Sequence, residues 1–152
     1  MKKILIAIDY NPTAENVAKI GYAVAKAFQA EVVLVHVITD PAFYSIPYSP
    51  IMGFYGSYAD GTEGVVENIK KEAEDFLAAS VKHLGDPLVQ TKVLEGDTDD
   101  SILQFADEWK ADLIVMGSHK HKGLEKLLPD LAVHMVKNSK IPLLTIPSES
   151  LT

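Results

Sequence analysis

The sequence contains no cysteine among its 152 residues. Disulfide bonds and thiolate metal sites are therefore excluded, and the composition is compatible with a reducing compartment. No stretch approaches the roughly 20 apolar residues that a membrane-spanning helix needs. The apolar run that follows Met1 is too short for a signal peptide, and no small-residue cleavage site follows it. We therefore expect a cytoplasmic protein that does not bind membranes.

Several ligand-binding motifs are also missing. No Gly-x-Gly-x-x-Gly follows the first apolar run, and no Walker-type Gly-Lys-Ser/Thr or Gly-x-Ser-x-Gly nucleophile elbow occurs. Positive charge is scarce, because 14 Lys and Arg residues face 21 Asp and Glu residues and leave a net charge of −7. This balance argues against a broad surface for nucleic acid or anionic lipid.

What the chain does contain is a regular alternation of apolar patterns. Five short runs rich in Val, Ile and Leu indicate strands that are covered on both faces. They occupy residues 4–8, 32–37, 88–94, 113–116 and 143–146. Stripes with helical spacing separate them, and Asn11 and Pro12 predict the N-cap and first position of the first helix. The alternation predicts one α/β domain over residues 1–152, with an open, mostly parallel sheet and helices on both faces.

One long irregular stretch, residues 39–61, interrupts this alternation. It contains three prolines and six aromatic residues. So many exposed aromatic rings would form an aggregation-prone patch. We expect the stretch either to pack over the carboxyl-end cleft of the sheet or a partner chain, or to fold back on itself.

Two loops follow strands whose carboxyl ends should meet at the ligand-binding edge of such a sheet. Asp9 ends the first run, where its carboxylate either accepts hydrogen bonds from a ribose or base or caps the local turn. The second loop, residues 117–123, holds His119, Lys120, His121 and Lys122. It is either an anion site or a solvated surface loop.

The histidines admit a metal hypothesis as well. His119 and His121 with His134 and Asp130 offer a zinc-type donor set, although their spacing matches no standard metal motif. His36 lies inside a predicted strand, which favours a hydrogen-bonded core histidine over a ligand.

Four segments together resemble the universal stress protein family. They are Lys2-Lys3-Ile4-Leu5-Ile6-Ala7-Ile8-Asp9, Val33-Leu34-Val35-His36-Val37, Ala111-Asp112-Leu113-Ile114-Val115-Met116-Gly117-Ser118-His119 and Ser139-Lys140-Ile141-Pro142-Leu143-Leu144. The resemblance spans essentially the whole chain, with residues 39–61 as the variable part. It implies an adenine nucleotide alpha hydrolase-like fold, with five parallel strands in the order 3-2-1-4-5.

Nucleotide-binding members of this family carry Gly-x2-Gly-x9-Gly-Ser/Thr after the fourth strand. Gly117 matches the first glycine, whereas Lys120, Asp130 and Leu131 replace the other three residues. Asp130 places a carboxylate where the family's glycine meets phosphate, and Leu131 removes a hydroxyl. The resemblance therefore implies weakened ATP binding in this chain.

The positions that the family uses near ribose and base are retained, so the resemblance leaves AMP or a nucleoside as a ligand. The candidate cofactor-binding residues are Asp9, Val37, Met116, Gly117, His119, Lys120, Asp130 and Leu131. No catalytic residue is predicted. Family members form homodimers through the last strand, and prolines at 142 and 147 bracket residues 143–146 as they would an edge strand.

We therefore expect a non-catalytic stress-response or signalling protein that acts as a homodimer and binds ATP poorly. The first alternative is an adenine-nucleotide binding protein or slow ATPase. The second is a metal-binding module that uses His119 and His121.

Overall fold

The computed structural model describes residues 1–10, 12–39, 48–49, 53–54, 59–118 and 131–147, with the backbone alone at 48–49, 53–54 and 59–66. Strands and helices alternate along the chain as predicted. The strands are β1 Lys3–Ala7, β2 Glu31–Ile38, β3 Tyr48–Ser49, β4 Gly53–Phe54, β5 Gln90–Glu95, β6 Leu113–Ser118 and β7 Leu143–Pro147. The helices are α1 Ala14–Phe28, α2 Ala59–Leu84, α3 Thr98–Trp109 and α4 Leu131–Asn138.

The large sheet has five parallel strands in the order β5-β2-β1-β6-β7. Counting only these five strands gives the order 3-2-1-4-5, so the predicted topology is confirmed. The chain winds outward from β1 through β2 to β5, then crosses back to β6 on the other side of β1. The switch point therefore lies between β1 and β6. The last strand, β7, forms one edge of the sheet, as predicted.

Helices cover the sheet on both faces because neighbouring strand residues point to opposite sides. Ile4 and Ile6 of β1 are fully buried on the face that carries α1 and α2, together with Leu77 of α2. Leu5 is fully buried on the opposite face with Ile102 of α3 and Met135 of α4. The continuous apolar runs thus reflect burial on two sides.

Helix α1 packs very closely on the sheet at Gly21. A Cβ atom at this position would lie 2.7 Å from Cδ1 of Ile6 and 3.2 Å from Cγ1 of Val115. Since Cβ atoms do not approach other carbons this closely, only glycine fits without displacing the strand side chains.

Local predictions were wrong at the start of α1 and in the stretch 39–61. Helix α1 begins at Ala14 with Thr13 in the N-cap position, and not at Pro12 after an Asn11 cap. Val17 N–H donates to the Thr13 carbonyl at 3.0 Å, which closes the first turn. The stretch 39–61 contains the short antiparallel pair β3–β4, and α2 already begins at Ala59. The rest of that stretch after Thr39, including the predicted packing of its aromatic rings, lies outside the described residues.

The amino ends of the strands are held together by Asp112, which precedes β6. Its Oδ2 accepts hydrogen bonds from the backbone N–H groups of Lys2 at 2.7 Å and Lys3 at 3.0 Å. The Lys3 Nζ donates to the carbonyl of Trp109 and lies 5.0 Å from the centre of its ring.

No helix in the described part of the chain is both long enough and apolar enough to cross a bilayer.

Candidate functional site

A cleft of about 420 Å³ opens at the carboxyl ends of β1, β2 and β6, at the topological switch point. Helices α1, α2, α3 and α4 complete its walls. Its lining residues are Ala7, Ile8, Asp9, Tyr10, Thr13, Ala14, Val17, His36, Val37, Ile38, Thr39, Ile69, Glu72, Thr98, Ile102, Met116, Gly117 and Leu131. The size falls within the range of about 300–1,000 Å³ typical of small-molecule sites.

Asp9 stands at the mouth of this cleft, directly beyond β1. Its side chain is 67% exposed, and its Oδ1 lies 3.9 Å from Nδ1 of His36. The same oxygen accepts a hydrogen bond from the backbone N–H of Tyr10 at 2.8 Å. The two interpretations of Asp9 are therefore compatible, because one carboxylate oxygen orders the turn while the side chain stays accessible to a ligand.

Three further predicted site residues line the same cleft. Val37 is the penultimate residue of β2, while Met116 and Gly117 belong to β6. Met116 is aligned with Ala7 of β1, and its buried side chain packs on the face of the sheet that carries α3 and α4. The sequence thus identified four cleft residues from β1, β2 and β6, including Asp9.

Leu131, the fifth predicted residue that the structure describes, is the first residue of α4 and also lines the cleft. The family resemblance aligns this leucine with a hydroxyl-bearing residue of the nucleotide-binding motif. His119, Lys120 and Asp130 lie outside the described residues, as does His121, so the anion-site and metal-site hypotheses for them stay predictions.

The charge of the described lining is negative. Asp9 and Glu72 contribute carboxylates, and His36 contributes an imidazole. Among the lining residues that the structure describes, none is a lysine or an arginine.

His36 occupies the inner wall of the cleft. The residue is only 4% exposed, and its Nδ1 lies 3.0 Å from the carbonyl oxygen of Ile8. The rings of Tyr10 and Phe76 pack against it at centroid distances of 4.5 and 5.7 Å. The prediction that His36 is a hydrogen-bonded core histidine is confirmed. The sequence did not indicate that His36 also lines the cleft.

A second polar cluster lies beside the cleft, at the start of α3. Oxygens of Asp97, Asp99 and Asp100 all lie within 4.8 Å of one another, and His134 of α4 contacts the buried Asp99. The hydrogen bond with Asp99 raises the pKa of Asp97. Burial opposes ionisation of Asp99, yet hydrogen bonds and the nearby His134 hold its pKa below the ordinary value.

This cluster includes one residue of the metal hypothesis. The sequence grouped His134 with His119, His121 and Asp130, which lie outside the described residues, and the structure shows that His134 contacts Asp99 of α3. The partners are 35 positions apart in the sequence, and no local pattern signals the contact. Acidic residues at the start of a helix are common, because negative charge is favourable there.

The family profile described as the universal stress protein family matches residues 1–147. Among curated proteins, universal stress protein MJ0531 of Methanocaldococcus jannaschii is 32% identical over 149 residues, which cover 95% of this chain and 81% of that protein.

Solved structures give the same result for the fold. Universal stress protein UspA from Lactobacillus plantarum superposes with a TM-score of 0.72 at 16% identity, covering 95% of this chain and 97% of that one. The universal stress protein from Archaeoglobus fulgidus in complex with dAMP has a TM-score of 0.61 at 19% identity, covering 96% and 98%. At such identities the likeness establishes the fold alone.

Proposed function

Because the chain belongs to the universal stress protein family, we propose that it is a non-catalytic stress-response or signalling protein that acts as a homodimer. In this proposal its cleft accepts an adenine nucleoside or monophosphate in preference to ATP. The proposal rests first on Leu131, which lines the cleft at the first position of α4.

Leu131 affects phosphate binding through both chemistry and volume. A helix N-terminus binds phosphate when backbone N–H groups and small or hydroxyl-bearing side chains let the oxygens approach closely. A leucine offers no donor and fills the space that this approach requires. The preceding Asp130 would add a carboxylate, whose repulsion of a phosphate is about 4 kcal/mol for unit charges 4 Å apart at an effective dielectric constant of 20.

The negative lining supports the same preference. With Asp9 and Glu72 on its described walls, the cleft becomes less favourable with every phosphate that a ligand adds. A nucleoside avoids this repulsion, and its hydroxyl and amino groups can donate hydrogen bonds to the carboxylates. Monophosphate binding is supported by the dAMP complex of the Archaeoglobus relative, which has the same fold.

Calorimetric titration with adenosine, AMP and ATP tests this order of affinity. We expect ATP to bind more weakly than a dissociation constant of about 10 μM, which corresponds to roughly −7 kcal/mol. The double variant Asp130→Gly with Leu131→Ser should bind ATP more tightly, because it restores the Gly-Ser pair. Lys137→Ser is the control, since Lys137 is exposed on the same helix and does not line the cleft.

Tight ATP binding by the wild-type protein would contradict the proposal. A double variant that gains nothing would place the defect elsewhere, with Lys120 as the next residue to replace. A phosphate-release assay addresses catalysis separately. Sustained ATP turnover by the purified protein would favour the alternative of a slow ATPase.

The homodimer is supported by the position of β7 at the edge of the sheet. An edge strand presents unpaired backbone groups, and a second copy of the strand can satisfy them. The preceding helix α4 adds exposed apolar side chains at Val133 and Val136. Light scattering should give about twice the monomer mass of 16.6 kDa. Thr145→Lys, which puts a charge on the exposed edge, should shift the protein toward the monomer.

A further inference from the structure

His36 has two ring nitrogens, and the fold uses only one of them. Nδ1 lies 3.0 Å from the carbonyl oxygen of Ile8. A carbonyl oxygen can only accept a hydrogen bond, so Nδ1 must carry the hydrogen. In the neutral ring, Nε2 then has a lone pair and acts as an acceptor.

No residue that the structure describes forms a hydrogen bond with Nε2 of His36. Nor does any buried side-chain nitrogen or oxygen among the described residues lack a partner. Nε2 is therefore reached by solvent, although the residue as a whole is only 4% exposed. His36 is one of the residues that line the cleft, so a ligand in the cleft would have access to this nitrogen.

The ring is held in this orientation from several sides. Tyr10 and Phe76 pack against it, and the Nδ1 hydrogen bond to Ile8 prevents the two nitrogens from exchanging places. Asp9 lies 3.9 Å from Nδ1, on the side of the ring that the backbone carbonyl already occupies. An acceptor fixed in this way is preorganised, and a ligand would not have to order it on binding.

We propose that Nε2 of His36 is a recognition atom of the cleft, which accepts a hydrogen bond from an N–H or O–H group of a bound nucleoside. This inference rests on the proposed preference for adenine nucleosides and monophosphates. An ionised phosphate oxygen only accepts hydrogen bonds, so it cannot pair with a neutral Nε2. The donor is either the exocyclic amino group of the base or a ribose hydroxyl.

His36→Asn isolates this nitrogen. The amide nitrogen of asparagine occupies nearly the place of Nδ1 and can still donate to Ile8, whereas nothing replaces Nε2. We expect adenosine to bind about three- to tenfold more weakly, as for the loss of one neutral hydrogen bond. His36→Gln is the complementary variant, because it returns a polar group to the Nε2 position, and it should recover part of the affinity.

Three analogues identify the donor. Purine riboside lacks the amino group, while 2′-deoxyadenosine and 3′-deoxyadenosine each lack one hydroxyl. The wild-type protein should lose about three- to tenfold in affinity for one of them. For that same analogue, His36→Asn should have no further effect.

Two results would overturn the assignment of Nε2. Either His36→Asn binds adenosine as tightly as wild type does, or it weakens all four ligands equally, as a merely structural residue would. A wild-type protein that binds none of the four would overturn both this inference and the proposed nucleoside preference.

A spectroscopic measurement covers the case in which His36→Asn does not fold. In the wild-type protein, the ¹⁵N resonance of the unprotonated His36 nitrogen should move when adenosine is added. It should stay unchanged with the analogue that lacks the donor. An unchanged resonance with bound adenosine would exclude the hydrogen bond.

Discussion

The two ends of the parallel sheet use the same kinds of polar residues in opposite ways. At the amino ends of the strands, one carboxylate oxygen of Asp112 accepts hydrogen bonds from two backbone N–H groups. The Lys3 ammonium lies over the ring of Trp109. At the carboxyl ends, Asp9 is two-thirds exposed and His36 uses one ring nitrogen of two. At the amino end these polar groups bind other parts of the protein, whereas at the carboxyl end some polar atoms have no partner among the described residues.

The difference follows from chain geometry. In a parallel sheet, each strand ends at the same edge, and the chain leaves it through a loop that leads into a helix N-terminus. At the switch point, the segment that follows β1 and the segment that follows β6 lead to opposite faces of the sheet. Their divergence opens the space of the cleft. An exposed polar group there, such as Asp9, contributes little to folding, so substitutions of Asp9 and Asp112 should separate binding from stability.

The largest expected effect is on the free energy of unfolding, at the packing of α1 on the sheet. Both ends of the sheet depend on this packing. Gly21→Val should lower the free energy of unfolding by about 3 kcal/mol, because overpacking a core displaces side chains such as Ile6. Urea denaturation measures the change. Ala23→Val on the exposed side of the same helix is the control and should cost about 0.5 kcal/mol or less. Equal losses for the two variants would contradict the close packing of α1.

The second effect concerns binding alone. Asp9→Ala should weaken nucleoside binding at least tenfold, because the carboxylate at the mouth of the cleft accepts ligand donors. The unfolding midpoint should hardly change, since the exposed Asp9 bonds only to the adjacent Tyr10 N–H within the described residues. Calorimetry and thermal unfolding of the same sample test both statements. A variant that binds normally would show that Asp9 only orders the turn.

The smallest effect should be on stability, at the opposite end. Asp112→Ala removes the acceptor that joins the starts of β1 and β6, so the unfolding midpoint should fall slightly while nucleoside affinity stays the same. Impaired binding in this variant would break the separation between the two ends.

The Asp112 effect should also depend on pH. Hydrogen bonds from the backbone N–H groups of Lys2 and Lys3 hold the pKa of Asp112 below its ordinary value. A lowered folded-state pKa gives stability that is present above the unfolded-state pKa and is lost as pH falls through the folded-state pKa. The difference between wild type and Asp112→Ala should therefore be full at neutral pH and shrink in acid. A difference that grows in acid would have the wrong sign.

The fold could be predicted because its signals are local. The apolar runs at 4–8 and 113–116 differ from the observed strands by no more than two residues at either end. Where a side chain competes with the pattern, the prediction fails. Leu88 was assigned to a strand, yet it is 85% exposed, because Asp86 accepts its N–H in a turn and β5 starts only at Gln90.

The site could be predicted only in part. Asp9, Met116 and Gly117 directly follow or end apolar runs, so topology alone places them at the cleft. His36 gave no such signal, because an accessible Nε2 is a property of one atom and not of the residue type. The contact of His134 with Asp99 depends on how α4 lies against α3, which neither helix encodes alone.

The location of Trp109 has a practical consequence for every binding measurement. It is the only tryptophan in the sequence, and it packs under Lys3 at the amino end of the sheet. Its fluorescence will report the unfolding of the amino end of the sheet. The same fluorescence will change little when a ligand binds in the cleft. Tyr10, 54% exposed beside His36, is an intrinsic chromophore placed to sense occupancy. A silent tryptophan signal on titration is therefore no sign that the cleft is empty.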